Sequence, residues 1–337
     1  MQNRSNIYRV LSLVVLAVVF LTLVVIAPDV LLVIFAGILF GVFFGGGGEW
    51  IARHTGLPRG AGIAIFVILI LAAFISGIMA FAPAVTDQFD QLAKEIPAGI
   101  EKLREWLKDY SWGERLLGAA QPSALMSAEG GSAAASAVTM TFGALGNFVI
   151  MLFVGLYGAI DPTPYRKGLS VLLAPSLRPR AEEVLDRARR TLQSWLSAQF
   201  ISMTAVGILT WLGLSLIGVP LAFILGIIAA LLAFIPNIGP VLSAMPALLL
   251  ALPEGNASVL QVAAVYIVVQ ALESYIITPL IQQEKVSLPP ALIISAQLLM
   301  GVLFGILGLA LATPLTALIM TLVSALYVED FLEHEET

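Results

Sequence analysis

The chain has 337 residues, of which 59% are hydrophobic and only 12% charged. Soluble domains carry about a quarter charged residues, so a mean hydropathy of +0.97 assigns the chain to the polytopic membrane proteins. The net charge of −5 gives no basis for nucleic-acid binding, and the absence of cysteine excludes disulfides, thiolate metal sites and cysteine catalysis.

The short basic N-terminus M-Q-N-R-S-N-I-Y-R leads into an apolar run from Val10 to Ala27. That run is longer than a signal-peptide core, and a second one starts directly after Pro28-Asp29, so it reads as a retained first span rather than a cleaved leader. Crossing ~30 Å of hydrocarbon takes about 20 helical residues. The segments that meet this are 8–27, 30–48, 60–83, 137–160, 198–218 and 257–278. Gly45–Gly48 is expected to end the second span and to allow close helix approach or fraying; nothing there marks a phosphate loop.

Lys and Arg set the orientation. Arg4 and Arg9 in the N-terminal tail, Arg53 and Arg59 in the loop 49–59, and seven basic residues in 161–190 alternate so as to share one side, the cytoplasm. Segment 84–136, with eight acidic and five basic residues, then faces outward. Within it Val85, Phe89, Leu92, Ile96, Ile100, Leu103, Leu107 and Tyr110 recur at steps of three and four, the mark of an amphipathic helix. It is expected to pack on a neighbouring copy or to lie on the membrane surface, in a structural role. Residues 118–136, rich in Ala, Ser and Gly, read as a flexible loop. Residues 179–196 read as a basic amphipathic helix leading into the fifth span.

After Gly218-Val219-Pro220 two apolar stretches follow, 221–235 and 241–252. At about 22 and 18 Å neither comfortably crosses the hydrocarbon. Between them stands Pro236-Asn237-Ile238-Gly239-Pro240. Proline stops one helix and starts the next, so the segment reads as a re-entrant hairpin, with a proline-kinked pair of ordinary spans as the alternative. A second copy follows: Pro220 lies 19 residues before Gly239, and Pro289 lies 19 before Gly308. Pro236 aligns with Gly305, and Pro246 and Pro314 trail the two glycines. With span 198–218 running outward and span 257–278 inward, the two span-plus-hairpin copies form an inverted repeat, a plan transporters use. Irregular backbone at that depth must be buried in protein or line a wet cavity. The tip then offers a small polar solute the backbone groups of two helix ends and the amide of Asn237.

Glu273 is the only acidic residue well inside the later spans. Gln270 shares its face, and Ser274 and Thr278 are near. Such a carboxylate either carries a proton or cation, or ties two helices together. Gln199 and Gln297 are further polar residues on membrane segments, each equally readable as interhelical glue. The order Gly213-Leu214-Ser215 is shared with intramembrane serine proteases, but no histidine lies in an apolar span to act as base. There is no HExxH motif and no Walker A loop. No catalytic residue, metal site or cofactor is expected.

Five blocks carry a resemblance: L-P-R-G-A-G-I-A at 57–64, G-V-P-L-A at 218–222, I-P-N-I-G-P-V-L-S-A-M-P-A at 235–247, Q-A-L-E-S-Y-I-I-T-P at 270–279 and F-G-I-L-G-L-A-L-A-T-P-L at 304–315. In this order, and over nearly the whole chain, the sequence resembles the autoinducer-2 exporter family of bacterial and archaeal membrane proteins. The resemblance implies an eight-span family topology in the prokaryotic cytoplasmic membrane, a large extracytoplasmic loop after the third span, and homo-oligomers, with the pentamer as the expected form. It implies export of the furanone autoinducer-2, or exchange of sodium or lithium for protons. Q-Q-E-K at 282–285 departs from the more basic sequence of many relatives, so no basic site is carried over.

The expected fold is therefore all-α and polytopic, with about six full spans and two re-entrant hairpins. Its parts are a three-span unit (1–83), an extracytoplasmic helical loop (84–136), the fourth span with the basic cytoplasmic helix (137–197), a transport unit (198–328) and an acidic cytoplasmic tail (329–337). The expected function is export of a small polar solute by a secondary transporter, with a monovalent cation/proton antiporter and a non-transporting scaffold or channel as alternatives. Asn237 and Gly239, flanked by Pro236 and Pro240, line the solute path at one tip. Gly305, Gly308 and Gln297 line it at the other. Glu273 and Gln270 couple ions or steady the moving part.

Overall fold

The computed structural model describes residues 2–108, 130–281 and 289–332, and every regular element among them is helical. In chain order the helices are α1 (Gln2–Ile26), α2 (Pro28–Thr55), α3 (Arg59–Lys108), α4 (Gly130–Ile160), α5 (Thr163–Val171), α6 (Arg178–Leu216), α7 (Ala222–Leu232), α8 (Ile238–Ala251), α9 (Asn256–Leu272), α10 (Thr278–Ile281) and α11 (Pro290–Val323). A π-turn, Glu273–Ile277, joins α9 to α10, and a second π-helical segment, Ser324–Leu332, follows α11. Five helices among the described residues are long and apolar enough to cross a membrane, or six if the bent pair α4–α5 is one span. The chain is thus a multi-pass membrane protein by length and composition.

Two pairs of segments that differ in sequence pattern are single helices. Arg59–Lys108 is one helix of 50 residues, so the apolar span and the amphipathic stretch after it are continuous. Arg178–Leu216 likewise joins the basic stretch to the fifth span. Part of the expected loop 118–136 is helical: residues 130–136 are the start of α4. Its remainder, the Q-Q-E-K run and most of the acidic tail lie outside the described residues. The glycine run does not end α2, which continues to Thr55 and stops at Gly56, a left-handed cap with φ 71°. The glycines serve close approach instead: a Cβ on Gly62 would lie 2.4 Å from the Gly48 carbonyl oxygen.

The helices form two compact units, one of residues 1–72, 145–197 and 284–337, the other of 73–144 and 198–283. In the first, one stripe of α2 (Leu32, Phe35, Ala36 and Leu39) packs on Met151 of α4, Leu192 and Leu196 of α6, and Leu311 of α11. Their spacing of three and four is the spacing of one helix face. In lipid such packing rests on van der Waals fit rather than on escape from water. Outside the apolar stripe, Glu49 bridges Arg59 and Arg189 at 3.4 and 3.2 Å. The guanidinium of Arg180 forks onto Asp330, at 3.1 and 2.9 Å.

The α11 helix of this unit is interrupted. Gly305 has φ 61° and ψ −143°, outside helical space. In a straight helix Gly308 would stand about 12 Å along the axis from Met300. Instead a Cβ on Gly308 would lie 2.2 Å from the Met300 carbonyl oxygen, and one on Gly301 would touch Leu309. The chain therefore folds back at Gly305 into two arms, 290–304 and 306–323.

In the second unit α7 and α8 also fold back on each other. Ala222 and Leu225 at the start of α7 share a core with Ala247, Leu250 and Ala251 at the end of α8, together with Leu92, Leu214 and Val262. The two helices have only 11 and 14 residues, about 17 and 21 Å. The C-terminal half of α3 binds the open end of this hairpin. Leu92 joins its core, and a Cβ on Gly99 would lie 2.2 Å from the carbonyl oxygen of Leu249. The hairpin covers only part of the apolar face, since Phe89 and Ile100 stay exposed. Periodicity shows that a face is apolar, not which surface covers it.

Candidate functional site

The tip of the α7–α8 hairpin is built by its prolines. Pro236 has no N–H to extend α7, and the last turn tightens through Phe234 and Ile235, whose amides donate to Leu231 and Leu232. The Ile238 amide then donates to the Pro236 carbonyl at 2.8 Å, closing a three-residue turn around Asn237. Asn237 has φ 66° and ψ −46°, the rare and strained form of the γ-turn. Two residues on, Gly239 faces the incoming helix so closely that a Cβ would lie 1.9 Å from the Leu232 carbonyl oxygen. Pro240 stands in the first turn of α8, where its missing N–H costs nothing. Asn237 is exposed, Gly239 buried, and both prolines are half-buried.

A short helix has orphan donors at one end and orphan acceptors at the other. Two glutamines from other helices each satisfy one of these on α7. The side-chain oxygen of Gln88, on α3, accepts from the Ile224 amide at 3.1 Å. The amide nitrogen of Gln199, on α6, donates to the Ala233 carbonyl at 2.7 Å. The Tyr266 hydroxyl of α9 donates to the Ser243 carbonyl of α8 at 3.0 Å. The hairpin is thus tied to all three helices that pack on it.

Glu273 opens the π-turn after α9. Ser202 and Thr278 donate to its Oε1 at 3.0 and 3.1 Å, while Gln270 and Ser274 donate to Oε2 at 3.0 and 3.4 Å. In an α-helix residues five apart point about 140° away from each other. The i→i+5 pattern of a π-turn, here with the Thr278 amide donating to the Glu273 carbonyl, brings the Thr278 hydroxyl round to the carboxylate. A carboxylate has about four acceptor sites, and here two donors serve each oxygen. Hydroxyls also accept, so Ser202 and Thr278 can rotate to receive a proton placed on Glu273.

The two features are adjacent. Gln199 and Ser202 lie three apart on one face of α6, and Ala233 packs with Val206 and Val269 in a core flanked by Met203 and Val265. The tip end of α7 and the Glu273 carboxylate are therefore about one helical turn apart along α6.

The structure brings Pro236, Asn237, Gly239 and Pro240 together at one tip, and Gln270 onto Glu273. In the other unit Gly305 is at the tip of the second hairpin, and Gly308 is buried against the arm 290–304. Gln297 is fully buried eight residues before that tip, within the arm. Sequence reasoning passed over Ser202, Gln88 and Tyr266. For Ser202 a signal existed, a polar pair at i and i+3 on an apolar helix. Gln88 and Tyr266 carry none, since their partners lie 136 and 23 positions away.

Comparison with known proteins agrees with the blocks noted above. The family model described as "AI-2E family transporter" matches residues 13–327. The chain is 26% identical over 280 residues to "Putative transport protein YueF" of Bacillus subtilis, covering 78% of this chain and 75% of that one. It is 24% identical over 300 residues to "Putative transport protein YhhT" of Escherichia coli, covering 86% and 83%. To "AI-2 transport protein TqsA" of E. coli it is 30% identical over 145 residues, 42% of each chain. Family and relatives alike are described as transport proteins, not enzymes.

Proposed function

The chain belongs to the AI-2E transporter family, and from that premise we propose that it is a secondary transporter exporting a small polar solute, an autoinducer-2-like furanone first. The observation that carries the reading is Asn237. Strain of this kind costs about 1–3 kcal/mol and persists where structure and function require it. Here it turns an exposed amide out at the tip of a hairpin whose helices are too short to cross a bilayer. The name of the relative TqsA supports the choice of solute.

In this reading both hairpins are re-entrant and belong to an inverted repeat. Each tip has a residue of positive φ, Asn237 or Gly305, followed by a glycine pressed against a carbonyl of the incoming helix. Pro236, Gly239 and Pro240 shape the first tip and Gly305 and Gly308 the second, with the buried Gln297 beside the second path. Both termini are cytoplasmic, and the protein works as a homo-oligomer. Glu273, assisted by Gln270, couples solute movement to an ion. Its place one turn from the tip end of α7 supports that role, because a change at the carboxylate reaches the tip through α6.

The test is efflux of autoinducer-2 from proteoliposomes, with and without a pH gradient, beside an Asn237→Ala variant. Efflux that needs both the protein and Asn237 is the expected result. Efflux no faster than from empty liposomes rejects this solute. The second reading, a sodium or lithium/proton antiporter, is favoured by the Glu273 cluster and predicts cation-driven proton movement in the same vesicles.

A further inference from the structure

The α5 helix carries none of the residues assigned to the solute path. It leaves the apolar segment Leu145–Ile160 of α4 at an angle of 89°. The corner is fixed by Asp161, whose Oδ1 accepts from the Thr163 amide at 3.0 Å, and by the φ of Pro162, −73°. If α4 follows the bilayer normal, α5 lies in the plane of the membrane surface.

The two faces of α5 differ as such a placement requires. On one, Arg166 pairs with Asp186 of α6 at 2.9 Å and Ser170 is buried. On the other, Tyr165, Leu169 and Leu172 are 60, 50 and 57% exposed. Their steps of four and three put them in one stripe along the helix. Lys167, also exposed, lies about 160° round the helix from Tyr165 and Leu169, on the side away from the stripe. A tyrosine and leucines on one side with a lysine on the opposite side is the composition of an in-plane helix, whose apolar face sinks about 5–10 Å into the headgroup boundary.

We propose that α5 is an interfacial helix, with Tyr165, Leu169 and Leu172 inserted into the lipid leaflet at the end of α4 and the Arg166–Asp186 pair tying it to α6. The occupant is lipid because the right-angle turn follows directly on α4, whose 31 residues are long enough to cross the bilayer without α5. This holds for any solute and either direction of flux.

The chain lacks cysteine, so Leu169→Cys can be labelled alone with the environment-sensitive dye NBD in nanodiscs of phosphatidylcholine and phosphatidylglycerol. The expected result is blue-shifted emission, quenched several-fold more by a lipid nitroxide high on the acyl chain than by one at the chain end. Glu182→Cys, on the exposed surface of α6, serves as the water-exposed reference. Water-like emission at position 169 overturns the proposal. So does stronger quenching by the chain-end probe, which would make α5 part of a crossing. Emission that is blue-shifted but quenched by neither lipid also overturns it, since a protein surface would then cover the stripe.

Discussion

Gln199 and Ser202 stand one turn apart on α6, and each reaches a different part of the site: Gln199 holds the carbonyl of Ala233, the residue that caps α7, and Ser202 holds the carboxylate of Glu273. One face of a single helix thus touches both the tip and the titratable group.

Gln199→Ala leaves the Ala233 carbonyl without its side-chain donor. A lost hydrogen bond of this kind costs about 1 kcal/mol. The variant is expected to unfold at lower temperature in detergent, and hydrogen exchange should speed up at the last amides of α7 while the start of α7, held by Gln88, stays protected.

Asn237→Gly removes the strain at the tip. Relief of about 2 kcal/mol is partly offset by about 1 kcal/mol of glycine entropy, so the variant should be about 1 kcal/mol more stable. Transport should nevertheless fall, because the amide is gone. A thermal melt and an efflux assay on one preparation separate the two effects, and efflux at the wild-type rate would remove Asn237 from the solute path.

Gly239→Ala and Gly308→Ala each force a methyl group onto a backbone carbonyl, at 1.9 and 2.2 Å. Neither carbonyl is the end of a flexible side chain, so the hairpin itself must open, at about 3 kcal/mol. Both variants should melt well below the wild type. Gly158→Ala, where a Cβ meets nothing within 4 Å, is the control and should melt as the wild type does.

Glu273→Gln retains a hydrogen-bonding side chain but cannot change charge. If the carboxylate couples an ion, solute flux in the variant should lose its dependence on pH while the protein remains folded. Flux that keeps the wild-type pH profile would assign Glu273 to tying α9 to α6 and nothing more.

Much of this arrangement is legible in the sequence because it rests on local chemistry. Pro236 lacks the N–H that would extend α7 and Pro240 fits the first turn of α8, and the spacing from Pro289 to Gly308 points to a second break that the structure puts at Gly305. What is not legible depends on distant partners. The patterns of 60–83 and 84–107 differ because their surroundings differ, yet the backbone of α3 runs through both, past Pro97. The cap that Gln88 provides to Ile224 joins residues 136 apart, and Ser202 meets Glu273 across 71.

The π-turn at Glu273–Ile277 makes the length of the chain, rather than any one side chain, decide what this carboxylate meets. A helix that completes a turn with one residue too many has the phase of everything downstream rotated by about 100°. Were the same residues wound as an ordinary α-helix, the Thr278 hydroxyl would swing about 140° away; with one residue between Ser274 and Ile277 also deleted, it would stand four residues on and face the carboxylate again. In sequence comparisons such a deletion reads as a one-position gap in an otherwise aligned span, across which the facing of carboxylate and hydroxyl is kept.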